Sequence, residues 1–238
     1  MTVNLLKRLA RRAGYNVTRI GPNTDPWSRR IELLRQRRIK IVLDVGAHYG
    51  GFGAALYEAG YDGALYSFEP LPQAIQALRG RASRERNWTV VPVAIGDRDT
   101  TTEFSVSSRT TSSSLFVMTT LAEKAANAKE ESRILVPMRS IDSYCNESLP
   151  GRDKLYLKCD VQGAEHLVIK GATGTLERTE VVELELSLVP LYESYWEFSE
   201  ALSWFFDLGF EIWSIEPGFA DPATGRIYQV DVIFSRRT

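Results

Sequence analysis

Residues 41–53, IVLDVGAHYGGFG, run from a short β-branched segment directly into a glycine-rich turn. An apolar run of this kind marks a strand buried on both faces of a parallel sheet. Gly46 and Gly50 free the backbone at the turn, and Gly51 to Tyr57 can begin a helix whose first N–H groups lack intrahelical partners. Those groups are available to a polar ligand. The spacing G-x-x-x-G-G-x-G differs from the G-x-G-x-x-G of a dinucleotide site, because Ala47 and His48 follow Gly46. A second strand is predicted over Ala64–Phe68 and ends in Glu69-Pro70. A carboxylate at that strand end can accept hydrogen bonds from both hydroxyls of a ribose and repels a 2′-phosphate. The turn and the acid together point to an unphosphorylated nucleoside. Asp44, Gly46, Ala47, His48, Gly50, Glu69 and Pro70 are the candidate contacts, with His48 read as a polar residue of the loop rather than as a catalyst.

Onward from this junction the chain alternates strand and helix, the pattern of a doubly wound parallel sheet. A helix is predicted over Pro72–Leu78, ending at Gly80, and a third strand over Trp88–Ile95, closed by Gly96-Asp97. Seven of the eight residues from Ser107 to Ser114 are Ser or Thr, which reads as a loop: a mobile lid or an idle connection. A helix near Met118–Ala128, a strand near Ile134–Met138 and a short helix after Arg139 return the chain to the sheet. The segment KLYLKCDVQGAEHLVIKG, from Lys154, gives a fourth buried strand ending in Asp160, and VVELELS gives a fifth. The helix Phe198–Leu208, stopped by Gly209, precedes strands Phe210–Ile215 and Ile227–Phe234, which should pair antiparallel because no helix separates them.

DVGAHYG followed by FEP resembles the class I S-adenosylmethionine-dependent methyltransferases. With AIGD and LKCDVQGAEH in order, the chain resembles the FkbM family of methyltransferases from about Lys40 to about Thr238. The resemblance implies an α/β, Rossmann-like, doubly wound seven-stranded and mostly parallel sheet with a C-terminal antiparallel hairpin. It divides the chain into an N-terminal helical extension, 1–39, and a class I methyltransferase domain, 40–238. It also implies S-adenosylmethionine as cofactor, with the backbone near Val93 and Ala94 meeting the adenine; Asp97 either assists there or is simply a turn residue. The implied reaction is O-methylation of a hydroxyl, on a sugar of a glycan, glycolipid or glycosylated natural product.

Attack on a sulfonium methyl is an in-line displacement, so catalysis rests on positioning, desolvation and removal of the hydroxyl proton by a base or a metal. Asp160, at a strand end, is the first candidate for either role. His166 is a second candidate base, or else a histidine of the helix surface. Glu165 is a third, or else a cap on backbone N–H groups. Glu183 and Glu185 share one face of the fifth strand, and buried acids there must be paired or bind an ion. Two readings stay open: a magnesium shell with Asp160, or salt bridges. The aromatic run from Leu191 to Trp196 can stack on a sugar ring or fill the core.

With 29 Lys and Arg against 30 Asp and Glu, the net charge of −1 offers no face-wide basic excess for nucleic acid. Cys145 and Cys159 are too few for a disulfide scaffold and read as reduced thiols, which implies a cytoplasmic setting. No apolar run approaches the ~20 residues of a transmembrane helix. The first 24 residues carry Lys7, Arg8, Arg11, Arg12 and Arg19 and no acid. As a helix they place Leu5, Leu6, Leu9 and Ala13 on one face, which suits docking on the core or a second subunit, or a weak membrane-surface contact. Asp25-Pro26 starts the next helix, expected to run to Arg37. Two other functions fit less well: a nonenzymatic nucleoside-binding or assembly protein on the same fold, and a dinucleotide-dependent oxidoreductase.

Overall fold

The computed structural model describes residues 3–237, so the expected extension 1–39 and domain 40–238 each have an end outside the described residues. Two helices come first, α1 (Val3–Arg12) and α2 (Pro26–Arg37). The side chain of Asp25 caps α2 by accepting the N–H of Ser28 at 2.7 Å, and Arg38 ends it in the left-handed conformation. Then follow β1 (Ile41–Val45), α3 (Gly51–Glu58), β2 (Ala64–Phe68), α4 (Pro72–Ala82) and β3 (Trp88–Val91). A short β4 (Ala94–Ile95) leads to β5 (Thr100–Ser107), α5 (Thr120–Ala126) and β6 (Glu130–Arg139). The chain finishes with α6 (Ile141–Ser148), β7 (Leu155–Cys159), α7 (Glu165–Lys170), β8 (Thr179–Ser187), α8 (Phe198–Asp207), β9 (Phe210–Pro217) and β10 (Gln229–Arg236).

Seven strands form one sheet in the order β3-β2-β1-β7-β8-β10-β9, and β10 alone runs against the others. This is the Rossmann-like class I arrangement. Strand order reverses between β1 and β7, and the carboxyl ends of strands at such a reversal are where open α/β sheets bind ligands. Alternation along the strands divides the core into two layers. Leu43, Leu157, Leu184 and Val232 pack toward α6, α7 and α8, whereas Val42, Tyr156, Val181 and Ile233 pack toward α2 and α3.

Three expectations need correction. The predicted third strand, Trp88–Ile95, breaks after Val91: its last two residues leave the main sheet and pair with β6. There they join a second sheet, β4-β6-β5, whose β5 the sequence reading had left out. Helix α4 passes through Gly80 to Ala82, because burying Ala82 and Leu78 offsets the ~1 kcal/mol cost of one helical glycine. Finally, α1 does not dock on the core: Leu6 and Leu9 are each 47% exposed.

Candidate active site

The carboxyl ends of β1, β2, β7 and β8 open into a cavity of about 590 Å³. One wall is the glycine turn, and Gly46 shows why it must be glycine. Its φ is 79°, and a Cβ there would collide with the carbonyl oxygen of Asp160. Gly46 therefore lets β1 and β7 approach closely at the strand ends. Glu69, only 4% exposed, accepts the N–H of His48 on one carboxylate oxygen and the N–H of Leu71 on the other, both at 2.8 Å. Each oxygen keeps a lone pair, so two vicinal hydroxyls remain within its capacity. Burial outweighs these hydrogen bonds and pushes the Glu69 carboxyl up to about 7. Phe68, Leu71, Val93 and Ala94 give the same end of the cavity an apolar lining, so the residues present suit a nucleoside.

A row of polar side chains crosses the sheet at the other end. Trp88 Nε1 donates to Ser67 Oγ at 3.0 Å, and Ser67 Oγ donates to Asp44 Oδ2 at 3.0 Å. Lys158 Nζ lies 3.3 Å from Asp44 Oδ1 and 3.3 Å from Asp160 Oδ2. Gln162 Nε2 donates to Asp160 Oδ1 at 2.8 Å and to Glu185 Oε2 at 2.6 Å, and Gln229 Nε2 donates to the same Glu185 oxygen at 2.8 Å. Tyr192 OH donates to Gln162 Oε1 at 2.5 Å and thereby orients the amide.

The two acids at the end of this row titrate in opposite directions. Burial would raise Asp160, but the Lys158 ammonium and the Gln162 amide override it and hold the carboxyl below its ordinary range. Glu185 has only amide donors; burial and the neighbouring Asp160 charge push it well above the carboxylate range. Their surroundings thus push Asp160 toward its charged form and Glu185 toward its protonated one. Lys158 stays an ammonium: burial lowers it, but Asp160 and Asp44 more than compensate.

The Ser/Thr segment is not an idle connection. Arg109 to Ser113 line the cavity, and the segment is held by His48 Nε2 to Thr110 Oγ1 at 2.8 Å and by Ser114 Oγ donating to the Gln162 carbonyl at 2.7 Å. Leu191 and Tyr192 also face the cavity, whereas Trp196 packs against Trp204 in the core.

Of the residues expected at the site, Gly46, Ala47, His48, Glu69, Pro70, Val93, Ala94, Asp160 and Glu185 line the cavity. Others do not. Asp44 is fully buried behind it and acts through Lys158. Gly50 sits under Trp88 and Leu78 at the start of α3. Asp97 points away to Arg98 at 2.7 Å and Lys170 at 3.3 Å, which hold it at about 2. Glu165 lies outside the cavity lining and caps backbone N–H groups: its Oε1 accepts the N–H of Val161 at 3.0 Å and that of Gly163 at 3.3 Å. His166, one residue on and a quarter-turn round α7, stacks on Phe116 at 5.6 Å, outside the cavity lining. Glu183 is closed off by Arg30, whose guanidinium meets it at 2.6 and 3.0 Å, and by Tyr156 OH.

The magnesium shell is not supported either. Among the described residues no group of three His, Cys, Asp or Glu side chains could hold a metal. A lysine and two amide donors already occupy the carboxylates that the sequence reading gave to the ion. Lys158, Gln162 and Gln229 were missed as partners. Lys158 left one signal: a cation two residues before Asp160 on a buried strand shares its face and needs a counter-ion.

The fold is of the class I type, and the cavity at its ligand edge suits a nucleoside. The sequence profile described as Methyltransferase FkbM domain matches residues 44–212, and the chain belongs to that family. It is 28% identical over 173 residues to the 2-O-methyltransferase NoeI of Sinorhizobium fredii, covering 69% of this chain and 70% of that protein. Similar solved structures include TehB from Haemophilus influenzae, with TM-score 0.48, 12% identity, and 94% of this chain and 64% of that one covered. Another is an rRNA methylase from Streptococcus thermophilus, with TM-score 0.46, 13% identity, and coverage of 90% and 98%.

Proposed function

We propose that this chain is an S-adenosylmethionine-dependent O-methyltransferase acting on a sugar hydroxyl, with Asp160 as the proton acceptor. The observation that carries the reading is Asp160 itself: an ionised carboxylate at a strand end, its side chain 35% exposed, facing the same cavity as Glu69. Bound with its ribose at Glu69, S-adenosylmethionine would supply the methyl group as an electrophile. As the acceptor oxygen bonds to the methyl carbon, the sulfur–methyl bond would break with its electron pair left on sulfur, giving the neutral thioether S-adenosylhomocysteine, and Asp160 takes the hydroxyl proton; general-base help of this kind contributes ~10²–10⁴ in rate. Lys158 fixes the carboxylate and keeps it charged beforehand. Glu185, pushed toward its neutral form, and the Gln162 amide orient it. The relative whose name specifies 2-O-methylation supports oxygen as the acceptor atom. Tyr192, Phe219 and Leu191 on the cavity wall suit the apolar face of a sugar ring.

Incubation with labelled S-adenosylmethionine and a panel of oligosaccharides and amine-bearing analogues, with mass-spectrometric location of the methyl, tests this reading. Methyl on a sugar oxygen is expected. Transfer only to nitrogen or carbon, or to no saccharide at all, would refute it.

A further inference from the structure

The segment before α2 has no role in the site, and its surface is unusual. Leu6 and Leu9 on α1 are 47% exposed, and beyond it Tyr15 is 71% and Ile20 78% exposed. Interleaved with them are Lys7, Arg8, Arg11, Arg12 and Arg19, all exposed, with no acid before Asp25. At 100° per residue Leu5, Leu9, Leu6 and Ala10 span one side of α1, and Lys7, Arg11, Arg8 and Arg12 the other. Among the described residues no α1 side chain joins the core clusters.

The place where this segment meets the body is also fixed. Trp27, in the first turn of α2, packs on Phe52 with ring centroids 5.5 Å apart, and Phe52 lines the cavity. Because α3 begins just after the carboxyl end of β1, the chain enters α2 at the ligand edge of the sheet and crosses to the opposite edge at Ile41.

We propose that α1 and the residues following it form a docking surface for an anionic lipid bilayer, which brings the cavity edge of the enzyme toward the membrane. An apolar face flanked by cations is what an interfacial helix needs: side chains enter the acyl boundary while Lys and Arg meet lipid phosphates. A second copy of the chain fits less well, since it would bring five like charges against these five. This inference is independent of the acceptor and of Asp160.

Co-sedimentation of the full chain with vesicles of phosphatidylcholine plus phosphatidylglycerol, against pure phosphatidylcholine, tests it. Binding is expected only to the anionic vesicles, falling with added salt. The variants Leu6→Ser/Leu9→Ser and Lys7→Gln/Arg8→Gln/Arg11→Gln/Arg12→Gln should each lose at least ~10-fold in partitioning. Calorimetry should show unchanged S-adenosylmethionine binding in both, which confirms that they are folded. Absence of binding to anionic vesicles, or equal binding by either variant, would overturn the proposal. So would sedimentation equilibrium showing a dimer that Leu6→Ser/Leu9→Ser dissociates, because that would assign the face to a second copy.

Discussion

At the scale of the residue, function depends on how neighbours set the charge of each acid. In the proposed reading Glu69 would accept ribose hydroxyls as a carboxylate, yet burial raises it to about 7. Ligand hydroxyls favour the ionised form, so S-adenosylmethionine should bind more tightly at about pH 8 than at about pH 6 and release protons on binding. Calorimetry in buffers of different ionisation heat reads both effects, and Glu69→Gln should weaken binding ~10-fold or more and flatten the pH dependence. A wild-type affinity independent of pH would show that Glu69 does not meet the ligand. The glycine turn and Glu69 were legible because one strand and the next lie close in sequence and the geometry is local. The partners of Asp160 were not. Gln162 is oriented by Tyr192, and Glu185 is held by Gln229, so these contacts form only when β7, β8 and β10 are assembled. His166 misled for a related reason: spacing places it beside the strand end, but the helical turn at Glu165 swings it to the outer side.

At the scale of the element, α2 is bound to the sheet by buried charge. Arg30, 5% exposed, bridges Glu183 on β8 and Glu216 on β9, with contacts of 2.6 Å to each. Arg30→Met leaves Glu183 without its cation and should cost about 3–5 kcal/mol in urea unfolding. Adding Glu183→Gln should recover part of that loss, since the uncompensated charge goes with it. Equal losses in the single and double variants would show that packing of α2, and not the ion pair, holds it. The two acids of VVELELS thus have separate duties, one joining a helix to the sheet and one tuning Asp160. The sequence offers salt bridges or a metal shell for the two acids together and does not divide them, because a strand pattern does not show which helix crosses which end. The second sheet was hidden by composition: Thr100–Ser107 alternates mainly Thr, Ser and Glu, and only Phe104 is deeply buried among its hydrophobic residues. Its partner strand β6 supplies the missing apolar surface through Val136 and Met138.

At the scale of the molecule, the site is assembled at a cost to the fold. Burial raises Glu69, Glu165 and Asp231 each to about 7. Each binds its proton more tightly folded than unfolded, so their contribution is greatest below about pH 4 and is lost as pH rises through about 7. The ligand-free protein should therefore melt several degrees lower at about pH 8 than at about pH 5.5. Saturating S-adenosylmethionine should reduce that slope by favouring ionised Glu69. A melting temperature that rises over this interval would contradict the assignment of the three acids. The class of sheet was readable because binary pattern and glycine punctuation agree along its parallel strands; the wall around the acceptor was not, being built from segments far apart in the chain.

The comparison of Asp160→Asn with the wild-type enzyme tests the central claim most directly, with methyl transfer to a saccharide acceptor and S-adenosylmethionine binding measured on the same preparations. The variant keeps the side chain's shape while removing the charge that accepts the proton, at the cost of turning one of its two accepting oxygens into a donor. Cofactor affinity should stay within about threefold of wild type while kcat falls by ~10²–10⁴. A kcat near wild type, with cofactor binding intact, would show that Asp160 is not the base.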